Sequence, residues 1–269
     1  MPLQLGIIGG GVMGEALLSR LLQQGDYQAG SVRVSDPAEE RRGYLSDQYG
    51  IGTTADNREI LAEADTVLLA IKPQILAALR PEFEKIAAER TALLISILAG
   101  TQLSTLESAL PRWPVVRAMP NTPATVGAGM TAIAAGVHAK PEHMALTQTL
   151  FEAVGSVVVV PEALLDAVTG LSGSGPAYVA MMIEAMADGG VAAGLPRAIA
   201  SQLAVQTVLG TAQLIQTADL HPAILKDRVT SPGGTTIAAV AQLEKSGLRS
   251  ALIQAVLAAY RRSQALGSN

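Results

Sequence analysis

The chain has 269 residues, a formal net charge of −4 and no cysteine; 49% of it is hydrophobic, 16% charged and 3% aromatic. This excludes disulfides, thiolate catalysis and thiolate metal sites. With no basic cluster beyond Arg41-Arg42 and Arg261-Arg262, it also argues against a nucleic-acid partner. The length accommodates two domains or one large one. Mean hydropathy is +0.33, high for a soluble monomer. The excess lies in Ala, Val and Leu on helical segments, which implies apolar faces buried in a subunit interface. Glu15, Glu184 and Lys245 interrupt the richest windows, and no run reaches the roughly 18 apolar residues of a membrane span. The first basic residue is Arg20, so Met1 to Leu18 does not read as a signal peptide. A cytoplasmic protein with no membrane partner is expected.

The first half alternates between strand-like and helix-like segments. Leu3 to Ile8 is a short apolar run ending in glycines, and Val12 to Gln24 has helical spacing. Ser31 to Ser35 is a strand, and Ala38 to Tyr49 is helical up to Gly50. Asp56 and Glu59 form a capping box ahead of Ile60 and Leu61. Thr66 to Ile71 is a buried strand stopped by Pro73, followed by a helix over Ile75 to Ala88. A strand over Thr91 to Ile97 precedes a helix over Gln102 to Leu110. Val115 to Met119, Met130 to Ala135 and Val157 to Val160 are strand-like. The alternation predicts an α/β fold with a parallel, doubly wound sheet.

From Leu164 onward the periods are helical: Pro176 to Ala193, Pro196 to Gln216, His221 to Val229, Thr235 to Lys245 and Arg249 to Leu266. The boundary is placed near residue 160. Residues 1–160 form a dinucleotide-type, Rossmann-like domain and residues 161–269 an all-helical one.

Gly9-Gly10-Gly11-Val12-Met13-Gly14 matches GxGxxG between a strand and a helix. There Gly9 makes the turn, Gly11 admits a pyrophosphate and Gly14 lets helix and strand pack; a ligand-free strand-helix turn is the bland alternative. Asp36 ends the second strand roughly 20 residues on, where the ribose-reading residue lies, and favours a free 2′-hydroxyl. Ser35, Arg41 and Arg42 beside it moderate that preference. A helix cap at Asp36-Pro37 is the structural alternative. Ala70-Ile71-Lys72-Pro73 ends a buried strand where parallel sheets bind ligands, and position alone divides Lys72 evenly between ligand contact and solvation. Arg117 to Pro123 follows another strand, with Asn121 and Thr122 as polar groups on a proline-fixed path. Ser172 to Tyr178 reads structurally, with Ser174 as N-cap and Pro176 in the first turn. His138, His143 and His221 lack metal-ligand spacing and read as solvated or capping groups. Ser231-Pro-Gly-Gly-Thr-Thr236 opens an apolar-periodic helix. Its exposed backbone N–H groups and the positive end of the helix dipole suit a carboxylate or phosphate, and Gly233 and Gly234 allow close approach.

Taken in order, the N-terminal glycine loop, AxKP, RAMPNTP, SGSGPAY and LKDxVxSPGGTTI closely resemble pyrroline-5-carboxylate reductase along essentially the whole chain. The Leu225 to Leu243 segment is the specific part. The resemblance implies reduction of the C=N bond of 1-pyrroline-5-carboxylate to L-proline by NADPH or NADH, the last step of proline biosynthesis. It implies that Gly9 to Gly14, Ser35, Asn57, Ala70 to Pro73 and Ala99 hold the cofactor; Asp36 and Asn121 join this expected set by their positions after strands. Gly233, Gly234, Thr235 and Thr236 would bind the substrate carboxylate, with the Thr236 hydroxyl near the ring nitrogen and Glu162 near the ring. It also implies a homo-oligomer, an interlocked dimer assembled into a decamer. Two positions depart from the family pattern. Asp36 stands where members favouring the 2′-phosphate carry a small hydroxyl or basic residue, and Arg228 receives no role.

Two rivals are weighed. A 3-hydroxyacid dehydrogenase of the same plan needs a Lys on an interdomain helix, yet no Lys occurs between Lys140 and Lys226. A nucleotide-sensing protein would not need the second anion loop.

Overall fold

The structure is a computed structural model describing residues 2–87 and 89–267. The chain divides into two compact units, one formed by residues 1–174 and 258–269 and the other by residues 175–257.

The first unit carries strands β1 (Leu5–Ile8), β2 (Val32–Ser35), β3 (Gly52–Thr54), β4 (Thr66–Leu69), β5 (Leu93–Ser96), β6 (Val115–Met119), β7 (Gly129–Ala135) and β8 (Gly155–Val159). Between them run α1 (Val12–Gln24), α2 (Glu39–Tyr49), α3 (Asn57–Glu63), α4 (Leu76–Ala87), α5 (Leu103–Ala109) and α6 (Pro141–Glu152), and α7 (Leu165–Val168) follows the sheet. The strands form one sheet in the order β3-β2-β1-β4-β5-β6-β7-β8. β1 to β6 are parallel, with Leu5 opposite Val32 on one side and Thr66 on the other. All residues of β1, β4 and β5 are buried, as a sheet covered on both faces requires. Two cores flank it. One gathers Leu17, Leu21, Leu45 and Phe151; the other gathers Ile60, Phe83, Leu106 and Trp113. Trp113 is fully buried and its Nε1 donates to the Arg90 carbonyl at 2.8 Å.

Several expectations are corrected. The sheet is not parallel throughout, because β7 runs antiparallel to β6, with Met119 opposite Ala132. The link from Pro120 to Ala128 contains only a short 3₁₀ turn, too little chain for a parallel crossover. β3 appears where no element was expected, while α6 extends the helix start expected at His143. The Asp56–Glu59 capping box does not form: Asp56 accepts from Arg58 N, its own N–H donates to Thr54, and Glu59 pairs with Arg33. Ser174 is no N-cap; it has helical φ/ψ, because the chain runs from α7 through a wide helical turn into α8. Pro196 precedes its helix instead of opening it. His143 and His221 do cap, each accepting a backbone N–H on Nδ1. The expected helix end at Ala88 lies outside the described residues.

The second unit holds α8 (Gly175–Ala192), α9 (Arg197–Ala218), α10 (Pro222–Arg228), α11 (Thr235–Lys245) and the first half of α12 (Leu248–Gly267). Its one buried cluster is Ala187, Ala200 and Ala204, where α8 and α9 touch through small side chains. Gly190 allows this approach, since a Cβ there would meet the Ala200 Cβ at 3.1 Å. Met181 (68% exposed), Ile199, Leu203, Val205 and Leu209 lie open. Among the described residues, α9 is long and apolar enough to cross a membrane, and 11% of its apolar window is buried. Interface helices of soluble proteins have the same composition.

Candidate active site

β1, β2, β4, β5 and β6 run parallel, so their carboxyl ends share one edge of the sheet. The chain leaves β1 toward β2 on one side and later occupies β4 on the other, which makes the β1/β4 boundary the topological switch point. Gly9 to Gly14 follow β1, Ser35 and Asp36 end β2, Ala70 to Pro73 follow β4, Ala99 follows β5 and Asn121 follows β6. The topology therefore collects every expected cofactor residue except Asn57 at strand ends on this edge. Asn57 joins through its side chain: Ser35 Oγ donates to Asn57 Oδ1 at 2.7 Å.

The loop geometry follows from its glycines. Gly9 has φ +104, and a Cβ there would lie 2.6 Å from the Ala70 carbonyl oxygen, so only glycine fits. A Cβ on Gly14 would run into the Gly9 carbonyl. At Gly11 an added Cβ would meet nothing within 4 Å. Gly11 is also the N-cap of α1, and no side chain satisfies the helix's first N–H groups. An open cradle with uncapped donors at the positive end of a helix fits a pyrophosphate.

Asp36 is fixed on both oxygens. Oδ2 accepts from Gly10 N and Oδ1 from Ala38 N, each at 3.0 Å. It therefore braces the glycine loop as well as the turn into α2, and α2 itself begins after Ala38. Beside it, Arg41 donates to the Gly10 carbonyl and pairs with Glu15. Tyr44 and Tyr49 donate to the same carboxylate at 3.1 and 2.8 Å. Burial is the largest single effect on Glu15 and raises its pKa; the hydrogen bonds from Arg41, Tyr49 and Tyr44 together outweigh it and hold the carboxyl below its usual range. Burial and the bond to Glu15 push Tyr49 up to about 12. Sequence reading missed this cluster. Its only trace is the spacing of Arg41, Tyr44 and Tyr49, which shares one face of α2 with Leu45.

Two expected site residues hold structure together. Asn121 Nδ2 donates to the Ser172 carbonyl at 3.1 Å, and its Oδ1 accepts from Met130 N at 2.8 Å. Glu162 Oε1 accepts from Leu103 N at 2.6 Å and pairs with Arg117 at 3.1 Å. Arg117 is 4% exposed, so this ion pair neutralises a buried charge that would otherwise be costly.

In the second unit, α10 ends at Arg228, and Gly233 turns the chain with φ +66. Gly234 donates to the Ser231 carbonyl at 3.1 Å and is the N-cap of α11, again with no side-chain cap. A Cβ on Gly234 would collide with Ser231 Oγ. The turn thus presents the uncapped N–H groups of Thr235 and its neighbours, with Thr235 exposed and Thr236 half-buried. Among the described residues, no three His, Asp or Glu side chains gather as a metal site.

Comparison with known proteins adds to this geometry. A family model described as "Pyrroline-5-carboxylate reductase dimerisation" matches residues 162–266, and one described as "NADP oxidoreductase coenzyme F420-dependent" matches residues 4–100. A pyrroline-5-carboxylate reductase of Synechocystis is 57% identical over 267 residues, 99% of each chain. The chain belongs to the pyrroline-5-carboxylate reductase family. The reductase from Coxiella burnetii superposes with a TM-score of 0.91 at 34% identity over 99% of each chain. That from Plasmodium falciparum, solved with NADP bound, superposes at 0.89 with 28% identity over 98% of each chain. In this reductase family member, the dimerisation match covers the helices whose apolar side chains lie open.

Proposed function

We propose that the glycine loop after β1 holds NAD(P)H and that the Ser231–Thr236 turn holds the carboxylate of 1-pyrroline-5-carboxylate. The chain is an NAD(P)H-dependent oxidoreductase that reduces this substrate's C=N bond to give L-proline. The observation that carries the assignment of roles is the pair of glycine-opened helix starts, α1 and α11, neither capped by a side chain. One suits a pyrophosphate and the other a small carboxylate.

The reduced nicotinamide supplies the hydride. The protein's own contribution is binding and orientation. Gly11 to Met13 receive the pyrophosphate, and Asp36 and the Ser35–Asn57 pair hold the ribose end. Ala70 to Pro73, Ala99 and Asn121 border the cofactor further along the strand ends. Gly233, Gly234 and Thr235 bind the carboxylate through backbone N–H groups. Thr236 Oγ1 donates toward or accepts from the ring nitrogen, which ends the reaction as a secondary amine. A protonated imine already accepts hydride well, so positioning dominates and no strong protein acid is needed. We place Glu162 near the ring, its carboxylate anchored by Leu103 N and Arg117. The open apolar faces of α8 and α9 support a homo-oligomer, which we read as an interlocked dimer built into a decamer in the cytoplasm.

The test is Thr236→Ala. Turnover should fall at least about tenfold, or about 1.4 kcal/mol of transition-state stabilisation, while cofactor affinity stays within about twofold. Equal turnover in the variant would remove Thr236 from the chemistry.

A further inference from the structure

Glu15, Arg41, Tyr44 and Tyr49 have no part in the mechanism above, yet they sit beside Asp36, where the cofactor's adenosine ribose would meet the glycine loop. Four charges lie there. Asp36 is fixed by Gly10 N and Ala38 N. Arg42 donates to the Asp36 and Pro37 carbonyls at 2.8 and 2.9 Å. Arg41 lies 5.0 Å over the Tyr44 ring centroid, donates to the Gly10 carbonyl and pairs with Glu15. Glu15 in turn accepts from both tyrosines.

Arg41 touches the glycine loop through the Gly10 carbonyl and would be the natural partner for a 2′-phosphate, since a guanidinium forks onto phosphate oxygens. Glu15 competes for that role. Its carboxylate approaches Arg41 from the first turn of α1, where the helix dipole favours negative charge. The side chains of Arg41 and Glu15 are 28% and 23% exposed, so screening by water is partial. The two phenol donors hold the carboxylate in place against rotation toward solvent.

Resting on the dinucleotide reading of the glycine loop, we infer that Glu15 is a specificity-determining residue: it sequesters Arg41, so that the ribose corner accepts a free 2′-hydroxyl and disfavours a 2′-phosphate. The preference for NADH over NADPH is then set by two acids. Asp36 takes the hydroxyl, and Glu15, acting through Arg41, withholds the cation that a 2′-phosphate needs. The lowered pKa of Glu15 keeps it charged at neutral pH, so the sequestration operates under ordinary conditions.

The experiment is calorimetric titration of the protein with 5′-AMP and with 2′,5′-ADP, which differ only in the 2′-phosphate. Wild type should bind 5′-AMP more tightly. Glu15→Gln should raise affinity for 2′,5′-ADP about tenfold, equivalent to about 1.4 kcal/mol, and leave 5′-AMP within about threefold, which also guards against a folding defect in the variant. Adding Arg41→Gln to Glu15→Gln should abolish the gain. Arg41→Gln alone should leave the 5′-AMP to 2′,5′-ADP affinity ratio within about threefold. An unchanged ratio in Glu15→Gln, a gain that survives loss of Arg41, or a tenfold loss of 2′,5′-ADP binding in Arg41→Gln alone would overturn the inference while leaving the cofactor reading intact. Failure of wild type to bind either nucleotide would overturn both.

Discussion

The two units solve the burial problem in opposite ways. The first closes its own core: Trp113, Phe83, Phe151 and Leu45 are fully buried around a covered sheet. The second leaves Met181, Leu203, Leu209 and Ile253 open and buries three alanines. Burying one such leucine contributes about 1.5–3 kcal/mol, so the helical unit forgoes much of what would stabilise it alone. The difference shows why a chain with 3% aromatics has a positive mean hydropathy. Its apolar surplus lies open in the stretch matched as a dimerisation segment.

The contrast can be broken by mutation. The largest effect should come from Leu203→Asp with Leu209→Asp on α9. Sedimentation should show loss of the oligomer, and the helical unit should melt earlier, because two charges cannot be buried unpaired. A stable oligomer with an unchanged melting profile would place the interface elsewhere. Next, Trp113→Ala should cost about 3–5 kcal/mol in denaturant unfolding, without changing the oligomeric state of the folded fraction. Smaller again is Gly9→Ala, in which φ +104 becomes strained by about 1–3 kcal/mol and dinucleotide affinity falls. Smallest is Val137→Asp on the first unit, 82% exposed, which should stay within about 0.5 kcal/mol.

The Glu15 cluster sharpens the same picture through pH. Tyr49 keeps its proton up to about 12 in the folded chain, against an ordinary value near 10. Its contribution is therefore complete below about pH 10 and is lost as pH rises toward 12. Glu15 runs the other way: its contribution is present above the ordinary carboxylate range and lost as pH falls through its lowered value. Alkaline unfolding of Tyr49→Phe should be less steep between about pH 10 and 12 than that of wild type. An identical profile would detach Tyr49 from Glu15.

Much of this architecture is legible in the residues. Val12–Gln24 and Val115–Met119 fall where periodicity places them, because each is long, regular and bounded by glycine or proline. β3 was missed because Gly52-Thr-Thr54 is three small or polar residues at the sheet's edge, with no apolar pattern. The reversal of β7 was missed because strand direction depends on the length of the link, and strand pattern is blind to it. At the candidate site, the glycines announce themselves through spacing. The bonds from Asn121 to Ser172 and Met130, and from Glu162 to Leu103 and Arg117, span tertiary distance and have no local signature. The same holds for Glu15, whose three donors come from a different helix.

The assignment of the substrate carboxylate to the Ser231–Thr236 turn is tested most directly by steady-state kinetics of Gly234→Ala with both ligands varied. The added Cβ would meet Ser231 Oγ and crowd the Ser231 carbonyl at 3.2 Å, the same carbonyl that Gly234 N–H bonds, and so disturb the turn without touching the glycine loop. The account predicts a rise of at least about tenfold in KM for 1-pyrroline-5-carboxylate, or about 1.4 kcal/mol, with cofactor KM within about twofold. An unchanged substrate KM, or a rise confined to the cofactor, would contradict it.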